Sequence, residues 1–380
     1  MMFAILLLFI FFRPFISSLA YPYANTAYSL ILLGLLGLWI ISKKIRFQEF
    51  KDIKYPLILF PCALLISSVF SSDKLNSFAV LYQYASGMLI FLICASFVDR
   101  DRILLIRVIL SAGIIISVLA IHQYFFGFAK LASLVAQEGI NDPFVNDYIS
   151  SRRVFVPFVT PNILAGYLAM IMPIAFIHKH KFWLLIPIAA AAFLTRSLGG
   201  LAVIPIAILI YFLLDKEAKK RKVIFVLSCL VIAVAAATIL RFSTQKLHQH
   251  PVFSTIMRLD YLGETLKIIA YAPFKGIGPG NFTLPASRYA HNSYLQLWGE
   301  CGIIGLLAFL WFIAAVIDQS IKALGKSKRK REISCLFCAN LVFLLHNLVD
   351  FTFYLPEVGF IWWAILGLLY SFSRESLSES

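Results

Sequence analysis

The chain has 380 residues, of which 61% are hydrophobic and 14% are charged, and its formal net charge is +15. Soluble domains carry about 25% charged residues, so this composition, with a mean hydropathy of +0.85, excludes an ordinary soluble enzyme. A transmembrane helix needs about 20 mostly apolar residues, and helices of that length with short loops use up nearly the whole sequence. We therefore predict an all-α, polytopic membrane protein in which residues 1–380 form a single integral membrane domain, with its chemistry on loops and helix ends.

The apolar runs predict about twelve transmembrane helices. The first run, Met2 to Ala20, lacks a basic start and contains Arg13, which favours an uncleaved first helix over a signal peptide. Arg13 and Arg107 are charges inside predicted spans that the sequence does not explain. In chain order the predicted spans cover residues 2–20, 26–42, 55–71, 78–98, 103–126, 162–178, 182–195, 198–214, 223–240, 294–317, 333–349 and 357–372.

The loops between these spans alternate in positive charge. The loops and tail on one face contain 21 Lys and Arg, whereas those on the other face contain 11 in more residues. Because Lys and Arg accumulate on the cytoplasmic side of membrane proteins, the first face and both termini are predicted to be cytoplasmic. The opposite face then has two large periplasmic loops, residues 127–161 and 241–293.

The loop 241–293 is basic although it is predicted to be periplasmic. It has six Lys and Arg against Asp260 and Glu264, and an anionic substrate is the favoured reason for this surplus. Nucleic acid is not an expected partner, because the outer basic residues are dispersed over a membrane surface.

Two parts of this loop have recognisable local patterns. Thr255 to Ala272 has apolar residues every three or four positions, which predicts a short amphipathic helix lying on the membrane. Pro273 to Gly280 contains G-x-G-x-G, but no helix start follows it in the right place, so a backbone hairpin is expected rather than a nucleotide loop. The apolar stripe of the predicted helix is Ile256, Leu259, Leu262, Leu266 and Ile269.

His291 lies directly before a span that opens with Ser293-x-x-Gln296, the spacing of a capping box. A histidine at a helix start is often structural, but imidazole titrates near neutral pH and suits a general base. The basic loop beside it favours a functional role. Glu300, an acid near the outer end of the span, is expected to face the protein interior or a wet cavity, where it would orient His291 or pair with an arginine.

Glycines and arginines near this span carry further expectations. Gly299, Gly302 and Gly305 form a smooth stripe that predicts close helix contact. Arg196 occupies a tight turn between two short spans, where a charge is costly unless it pairs or binds something. Guanidinium groups match phosphate oxygens in pairs, which makes Arg196 and Arg258 the favoured phosphate ligands, although a solvated surface role remains open for Arg258. The outer face offers no carboxylate cluster for a metal, and the Asp99-Arg100-Asp101 turn is predicted to be cytoplasmic.

The segment from His291 to Gly305 resembles the HN-x-YL…E-x-G-x-x-G pattern of the bacterial O-antigen ligase and O-antigen polymerase family, which transfers lipid-linked glycans. The resemblance covers roughly residues 150–370. In Thr195-Arg196-Ser197 the sequence departs from the Ser-Arg-Gly of many members. The other matching segments are Pro273 to Phe282 (P-x-x-G-x-G-x-G-x-F), Arg258 upstream of it, Asn162-Ile163-Leu164-Ala165 (N-x-L-A), and His346, Asp350 and Pro356 (H-x-x-x-D…P).

The resemblance implies a metal-independent, inverting transferase of the C-type glycosyltransferase architecture, with no cofactor, at the periplasmic face of the bacterial inner membrane. Its donor would be a glycan on undecaprenyl diphosphate, and its acceptor the lipid A core, another glycan or a protein. In that scheme His291 deprotonates or orients the acceptor hydroxyl. The diphosphate would be held by Arg258 and Arg196, with Arg153 and Arg288 as further candidates, and the supporting residues are Glu300, Asn292 and Asn162.

Three other interpretations remain open at this point. A polymerase of the same family would differ only in its acceptor, another lipid-linked repeat unit. A flippase or transporter of lipid-linked oligosaccharides predicts internal repeats and matched pairs of broken spans, and the sequence shows no convincing repeat. A non-catalytic envelope scaffold is the third.

Overall fold

The computed structural model describes residues 2–43, 47–141, 143–214 and 253–378, together with scattered residues between 228 and 239. These residues are predominantly helical and form no β-strand, although an isolated β-bridge joins Leu284 to Ser287. The predicted all-α class is therefore confirmed for this part of the chain. Most of the predicted span 223–240, and the first residues of the loop 241–293, lie outside it.

We number the helices of the described residues in chain order. A π-helical turn, Gln123–Gly127, joins α5 to α6, and three short 3-10 helices are Arg13–Phe15, Phe47–Ile53 and Thr352–Tyr354. The helices are α1 Met2–Phe12, α2 Pro22–Lys43, α3 Lys54–Val69, α4 Lys74–Ala95, α5 Asp99–His122, α6 Phe128–Gln137, α7 Pro143–Ser150, α8 Pro161–Ala175, α9 Lys181–Leu194, α10 Leu198–Leu214, α11 Phe253–Tyr271, α12 Ser293–Leu324, α13 Lys330–His346 and α14 Pro356–Ser378.

Several of these helices have the length and composition of membrane spans. Five stretches of the described residues qualify, and shorter apolar helices accompany them. One stretch, Asp99–Gln137, continues well beyond the predicted span 103–126 into the predicted loop 127–161. The structure thus supports a membrane protein, while the total of about twelve spans and the orientation of the loops stay predictions. The other four stretches are Pro22–Ser42, Glu49–Val69, Lys74–Ala95 and Ser293–Leu324.

The last helix, α14, lies at the centre of the molecule. Its residues from Pro356 to Ser373 are all buried, as expected for a helix that is apolar on every side. It packs against α4, α12 and α13, and the ring of Trp362 stacks on Phe343 with centroids 4.6 Å apart. This arrangement brings the start of α12 and the end of α13 together at one end of the bundle.

Arg13, which the sequence left unexplained, is neutralised inside the protein. The side chain is fully buried, and its Nη2 lies 3.6 Å from Glu357 Oε2 at the start of α14. It also donates hydrogen bonds to Asn25 Oδ1 and to the carbonyl of Ile16. A buried charge without such partners would cost several kcal/mol. Arg107, in contrast, is exposed on α5.

Helix α12 is broken at Gly302, whose φ of 68° and ψ of 176° are not helical. The break exposes backbone groups that pair with the segment Pro273–Gly280: the Ile303 amide donates to the Pro273 carbonyl at 2.9 Å, and the Gly278 amide donates to the Glu300 carbonyl at 2.9 Å. A Cβ on Gly302 would lie 1.9 Å from the carbonyl oxygen of Phe274.

The expectation that the glycine stripe of α12 supports helix contact was therefore wrong at Gly302. Gly302 instead lets the backbone of an irregular segment come close, because any Cβ at this position would collide with the Phe274 carbonyl. Gly276, in the same segment, has a φ of 72° and a Cβ there would lie 2.1 Å from the Glu300 carbonyl oxygen. The segment Pro273–Gly280 is a run of turns whose backbone pairs with the broken helix.

We expect Gly302→Ala to lower the thermal unfolding midpoint of the detergent-purified protein, measured by intrinsic fluorescence. The backbone region is accessible essentially only to glycine, and strain there costs about 1–3 kcal/mol, before the Phe274 carbonyl is displaced. The matched control is Gly263→Ala, which lies inside α11 with no atom within 4 Å of the added Cβ. Alanine should stabilise that helix by roughly 0.5–1 kcal/mol. Equal midpoints for Gly302→Ala and the unaltered protein would contradict the role of the break.

Candidate functional site

The site begins at the N-terminus of α12, where Asn292 is the capping residue. Its Oδ1 accepts hydrogen bonds from the amides of Tyr294 and Leu295, both at 3.1 Å. The predicted capping box starting at Ser293 was thus displaced by one residue. Gln296 instead reaches back beyond the cap and accepts from the Ala290 amide at 3.1 Å, which fixes the chain on both sides of His291.

Ser293 ties the start of α12 to the end of α13. Its hydroxyl donates to Asn347 Oδ1 at 2.7 Å, and its amide donates to the Asn347 carbonyl at 2.9 Å. Asn347 Oδ1 also accepts from the Phe353 amide at 2.8 Å. These bonds hold His291 beside residues 346–351, which are far from it in sequence.

His291 is held between two aromatic rings in an unusual backbone conformation. Its ring stacks on Tyr261 of α11 with centroids 5.2 Å apart and an angle of 13°. Phe351 meets the same ring edge-on at 4.8 Å. The φ of His291 is 53°, a left-handed value that is uncommon outside glycine. The other non-glycine residues with positive φ in the described chain are Arg152 and Arg196.

Burial, with two charged groups of opposite effect, shifts the pKa of His291. Burial lowers the pKa of this imidazole below its ordinary value of 6.5; the Asp350 carboxylate opposes the shift, and the Arg258 guanidinium adds to it. The ring is therefore neutral at pH 7. Its Nδ1 is buried and has no hydrogen-bond partner among the described residues.

Asp350 connects His291 to a second histidine. Asp350 Oδ2 lies 3.9 Å from His346 Nε2, and Oδ1 accepts from the Phe351 amide at 2.7 Å. Both His346 and Asp350 are buried. These two residues stood in a motif of the sequence, but nothing local in the chain indicated that Asp350 would lie near His291. The sequence analysis therefore missed them as site residues, as it missed the rings of Tyr261 and Phe351.

A second group of residues gathers where α8, α9 and α10 meet. Arg153 Nε donates to the Thr195 carbonyl at 3.1 Å, and its Nη2 donates to Asn162 Oδ1 at 3.4 Å. Arg196, next to Thr195, is 9% exposed and has a φ of 50°. The structure thus brings together Arg153, Asn162 and Arg196, which the sequence had proposed from separate segments.

The two groups are connected through the end of α13. Gly166 of α8 lies against the His346 ring, so that an added Cβ would be 2.5 Å from Cε1. Gly199 at the start of α10 lies against Val349, where an added Cβ would be 3.4 Å from Cγ2. His346 therefore lies against α8, the helix that carries Asn162, and also close to Asp350.

Glu300 and Arg288 lie on a different wall of the site. Glu300 is 2% exposed and accepts hydrogen bonds from Gln296 Nε2 at 3.2 Å and from the Tyr84 hydroxyl at 3.3 Å. Arg288 is exposed. Both border a cleft of about 480 Å³. The carboxylate that raises the pKa of His291 is that of Asp350, whereas Glu300 is hydrogen-bonded to a glutamine and a tyrosine.

This geometry can support proton transfer beside anion binding. A neutral imidazole can accept a proton, and a nearby carboxylate stabilises the imidazolium that results. Arg258 offers a guanidinium next to that imidazole, and Arg153 and Arg196 offer two more behind His346. The comparison with curated proteins gave no match. A family model described as O-Antigen ligase matches residues 182–310, a range that contains Arg196, Arg258 and His291. The resemblance indicated by the sequence motifs is thus supported over residues 182–310 of this membrane protein, which match the O-antigen ligase family model.

Proposed function

We propose that this protein is an O-antigen ligase-like glycosyltransferase that moves a glycan from undecaprenyl diphosphate to an acceptor hydroxyl at the periplasmic face of the bacterial inner membrane. The observation that carries the proposal is the placement of His291, half-buried between two rings, with Asp350 and Arg258 within electrostatic range. The acceptor is the lipid A core, another glycan or a protein hydroxyl. The chemistry needs neither a metal nor a cofactor.

The first chemical role belongs to His291 as general base. Its neutral imidazole takes the proton of the acceptor hydroxyl while that oxygen forms a bond to the anomeric carbon of the donor sugar. The bond between this carbon and the diphosphate oxygen breaks, its electron pair leaves with the lipid diphosphate, and the anomeric configuration inverts. Asp350 compensates the charge that His291 gains, and the proton then passes to water.

The arginines supply the second role, which is to hold the departing diphosphate. A pair of unit charges 4 Å apart interacts by about 4 kcal/mol at an effective dielectric of 20, and guanidinium groups bind phosphate oxygens in pairs. Arg258 is favoured for the phosphate next to the reacting carbon because it interacts with His291. Arg196 and Arg153 are favoured for the rest of the anion. Arg288 remains a candidate for the path by which the donor enters.

The exposed surface of α11 supports binding of a lipid-linked donor. Ile256, Leu259 and Leu266 are 45%, 62% and 47% exposed, whereas Thr265 and Ile269 are buried. The first three, with Leu262, form an apolar stripe without a protein partner on the described surface, and such a stripe suits the boundary of a lipid bilayer. Arg258 would then lie at the depth where the diphosphate of a membrane lipid resides.

A polymerase would use the same groups and would take another lipid-linked repeat unit as acceptor. His291, Asp350 and the arginines act on the donor side and at the acceptor oxygen, which both reactions share. A transfer assay with purified protein should therefore offer lipid A core and lipid-linked repeat units in parallel.

We expect His291→Ala to reduce transfer from lipid-diphosphate glycan by about 10²–10⁴-fold, because a positioned general base contributes this factor. Arg258→Gln should reduce it by about 10²–10³-fold through loss of charge stabilisation. Release of lipid diphosphate by the reconstituted protein measures both. The matched controls are His180→Ala, at an exposed residue just before α9, and Arg107→Gln, at an exposed residue on α5. Both variants should retain activity. Full activity of a folded His291→Ala protein would remove the assignment.

The pH dependence of transfer should follow the titration of His291. A base acts when deprotonated, so the rate falls as pH drops through its pKa, and burial places that fall below pH 6.5. Arg258→Gln removes a positive charge that lowers the pKa of His291, so the acid limb of the rate profile should move to higher pH. Asp350→Asn should move it to lower pH.

Lys267→Gln is the control for this series, because Lys267 is an exposed cation on the same helix, paired with Glu264. Its profile should match that of the unaltered protein. Identical acid limbs in all four proteins would show that another group limits the reaction.

The proposal also requires that α11 face the periplasm. We expect Lys267→Cys, in a protein whose own cysteines are replaced, to react with a membrane-impermeant maleimide added to spheroplasts. The paired control is Lys322→Cys on α12, which should react only after permeabilisation because it lies in a predicted cytoplasmic loop. Both side chains are well exposed, at 72% and 63%. Labelling of Lys322→Cys alone in intact spheroplasts would reverse the topology and end the proposal.

A further inference from the structure

A cleft opens beside the N-terminal part of α12, and neither His291 nor the three proposed diphosphate arginines line it. It has a volume of about 480 Å³ and lies between α2, α4, the segment 280–289 and α12. We infer that this cleft binds a sugar ring of the acceptor glycan, an inference that rests on the proposed transferase function. The residues that carry the argument are Asn25, Gln83, Arg288, Tyr289, Gln296 and Glu300.

The cleft is lined by one positive and one negative side chain, which favours an uncharged ligand. Among the described residues that line it, Arg288 is the only Lys or Arg and Glu300 is the only Asp or Glu. A diphosphate carries several negative charges and would meet one exposed guanidinium and one buried carboxylate here. The cleft is therefore unsuited to the anion.

The chemistry of the lining suits a polyhydroxyl ring. Sugar hydroxyls both donate and accept hydrogen bonds, and the cleft offers amides that do both, at Asn25, Gln83 and Gln296, with a carboxylate that accepts. Tyrosine rings combine an apolar face with a polar edge, and Tyr82 and Tyr289 both line the cleft. A few placed polar groups on a partly apolar wall are the usual composition of a small-molecule site.

The carboxylate of Glu300 is fixed before any ligand arrives. Gln296 and Tyr84 donate to its two oxygens. The backbone carbonyl of Glu300 accepts hydrogen bonds from Ser67 Oγ at 2.7 Å and from the Gly278 amide at 2.9 Å. The break of α12 at Gly302 permits the second of these bonds. A carboxylate held in this way loses little entropy when it accepts a sugar hydroxyl.

The floor of the cleft is equally rigid. Asn25 and Ser18 line it and are bonded to the buried pair below: Asn25 accepts from Arg13, and Ser18 donates its amide to Glu357 Oε1 at 3.0 Å. The ion pair of Arg13 and Glu357 thereby orients two polar groups of the cleft. This gives the buried Arg13, which takes no part in the proposed chemistry, a defined role.

Side-chain contacts connect the wall of the cleft to His291. Tyr289 lines the cleft and stacks on Phe351 with centroids 4.2 Å apart, and Phe351 meets the His291 ring edge-on. Gln296 lines the cleft and holds the Ala290 amide. The same residues 289–296 thus form a wall of the cleft and position the base, so a sugar in the cleft can present a hydroxyl toward His291.

Steady-state kinetics with the full-length protein in lipid nanodiscs tests the acceptor role. Gln83→Ala and Tyr82→Phe each remove a polar group from the cleft, and each should raise KM for the acceptor about tenfold, the effect of one lost hydrogen bond of about 1.4 kcal/mol. KM for the lipid-diphosphate donor and kcat at saturating acceptor should be unchanged. Tyr55→Phe, at an exposed tyrosine of α3, is the matched control. A rise in donor KM with unchanged acceptor KM would overturn the inference.

Ligand binding separates this inference from the proposed function. Saturation-transfer NMR with maltotriose and triacetylchitotriose should show binding of at least one neutral sugar, weakened in Gln83→Ala and in Glu300→Gln but not in Arg258→Gln. Binding of inorganic diphosphate should show the opposite pattern. Sugar binding that the cleft variants leave intact, or no binding of either sugar, would overturn the inference. Sugar binding with this pattern but no glycan transfer would support the cleft and refute the transferase.

Discussion

The site depends on the backbone pairing between the broken helix α12 and the segment Pro273–Gly280. The amide of Ile303 and the carbonyl of Glu300 lose their helical partners at Gly302 and gain partners in this segment. Buried backbone groups that remain unpaired are costly, so the break can exist only while the segment is docked. The docking in turn requires residues without Cβ on both sides, because the backbones approach to distances that any other side chain would block.

This pairing determines the position of groups at both ends of the outer half of α12. At one end Asn292 caps the helix, and Ser293 fastens it to Asn347, which places His291 beside Asp350. At the other end the backbone carbonyl of Glu300 is hydrogen-bonded to the Gly278 amide, and the Glu300 side chain lines the cleft. His291 and Glu300 therefore flank one stretch of about two helical turns, and the same backbone pairing positions both.

Local patterns in the sequence predicted the helices well but not the contacts between them. The predicted span 198–214 coincides with α10, and Thr255–Ala272 is close to α11, because apolar periodicity is a property of each segment by itself. A position of His291 beside the basic loop that carries Arg258 was also expected. The break at Gly302, the capping role of Asn292 and the proximity of Asp350 were not, because each depends on a distant part of the chain that meets α12 only in the folded protein.

Arg152, Arg196 and His291 have left-handed backbone conformations, and two of these three residues belong to the proposed site. Glycine would adopt a φ near 50° at no cost, whereas other residues incur roughly 1–3 kcal/mol in sparsely populated backbone regions. Stability alone would therefore favour glycine at both positions. The chain instead places there a guanidinium and an imidazole, one at each of the two groups that meet at the end of α13. Because a glycine has no side chain to direct, the strain at these two residues is consistent with the proposed roles of the guanidinium and the imidazole.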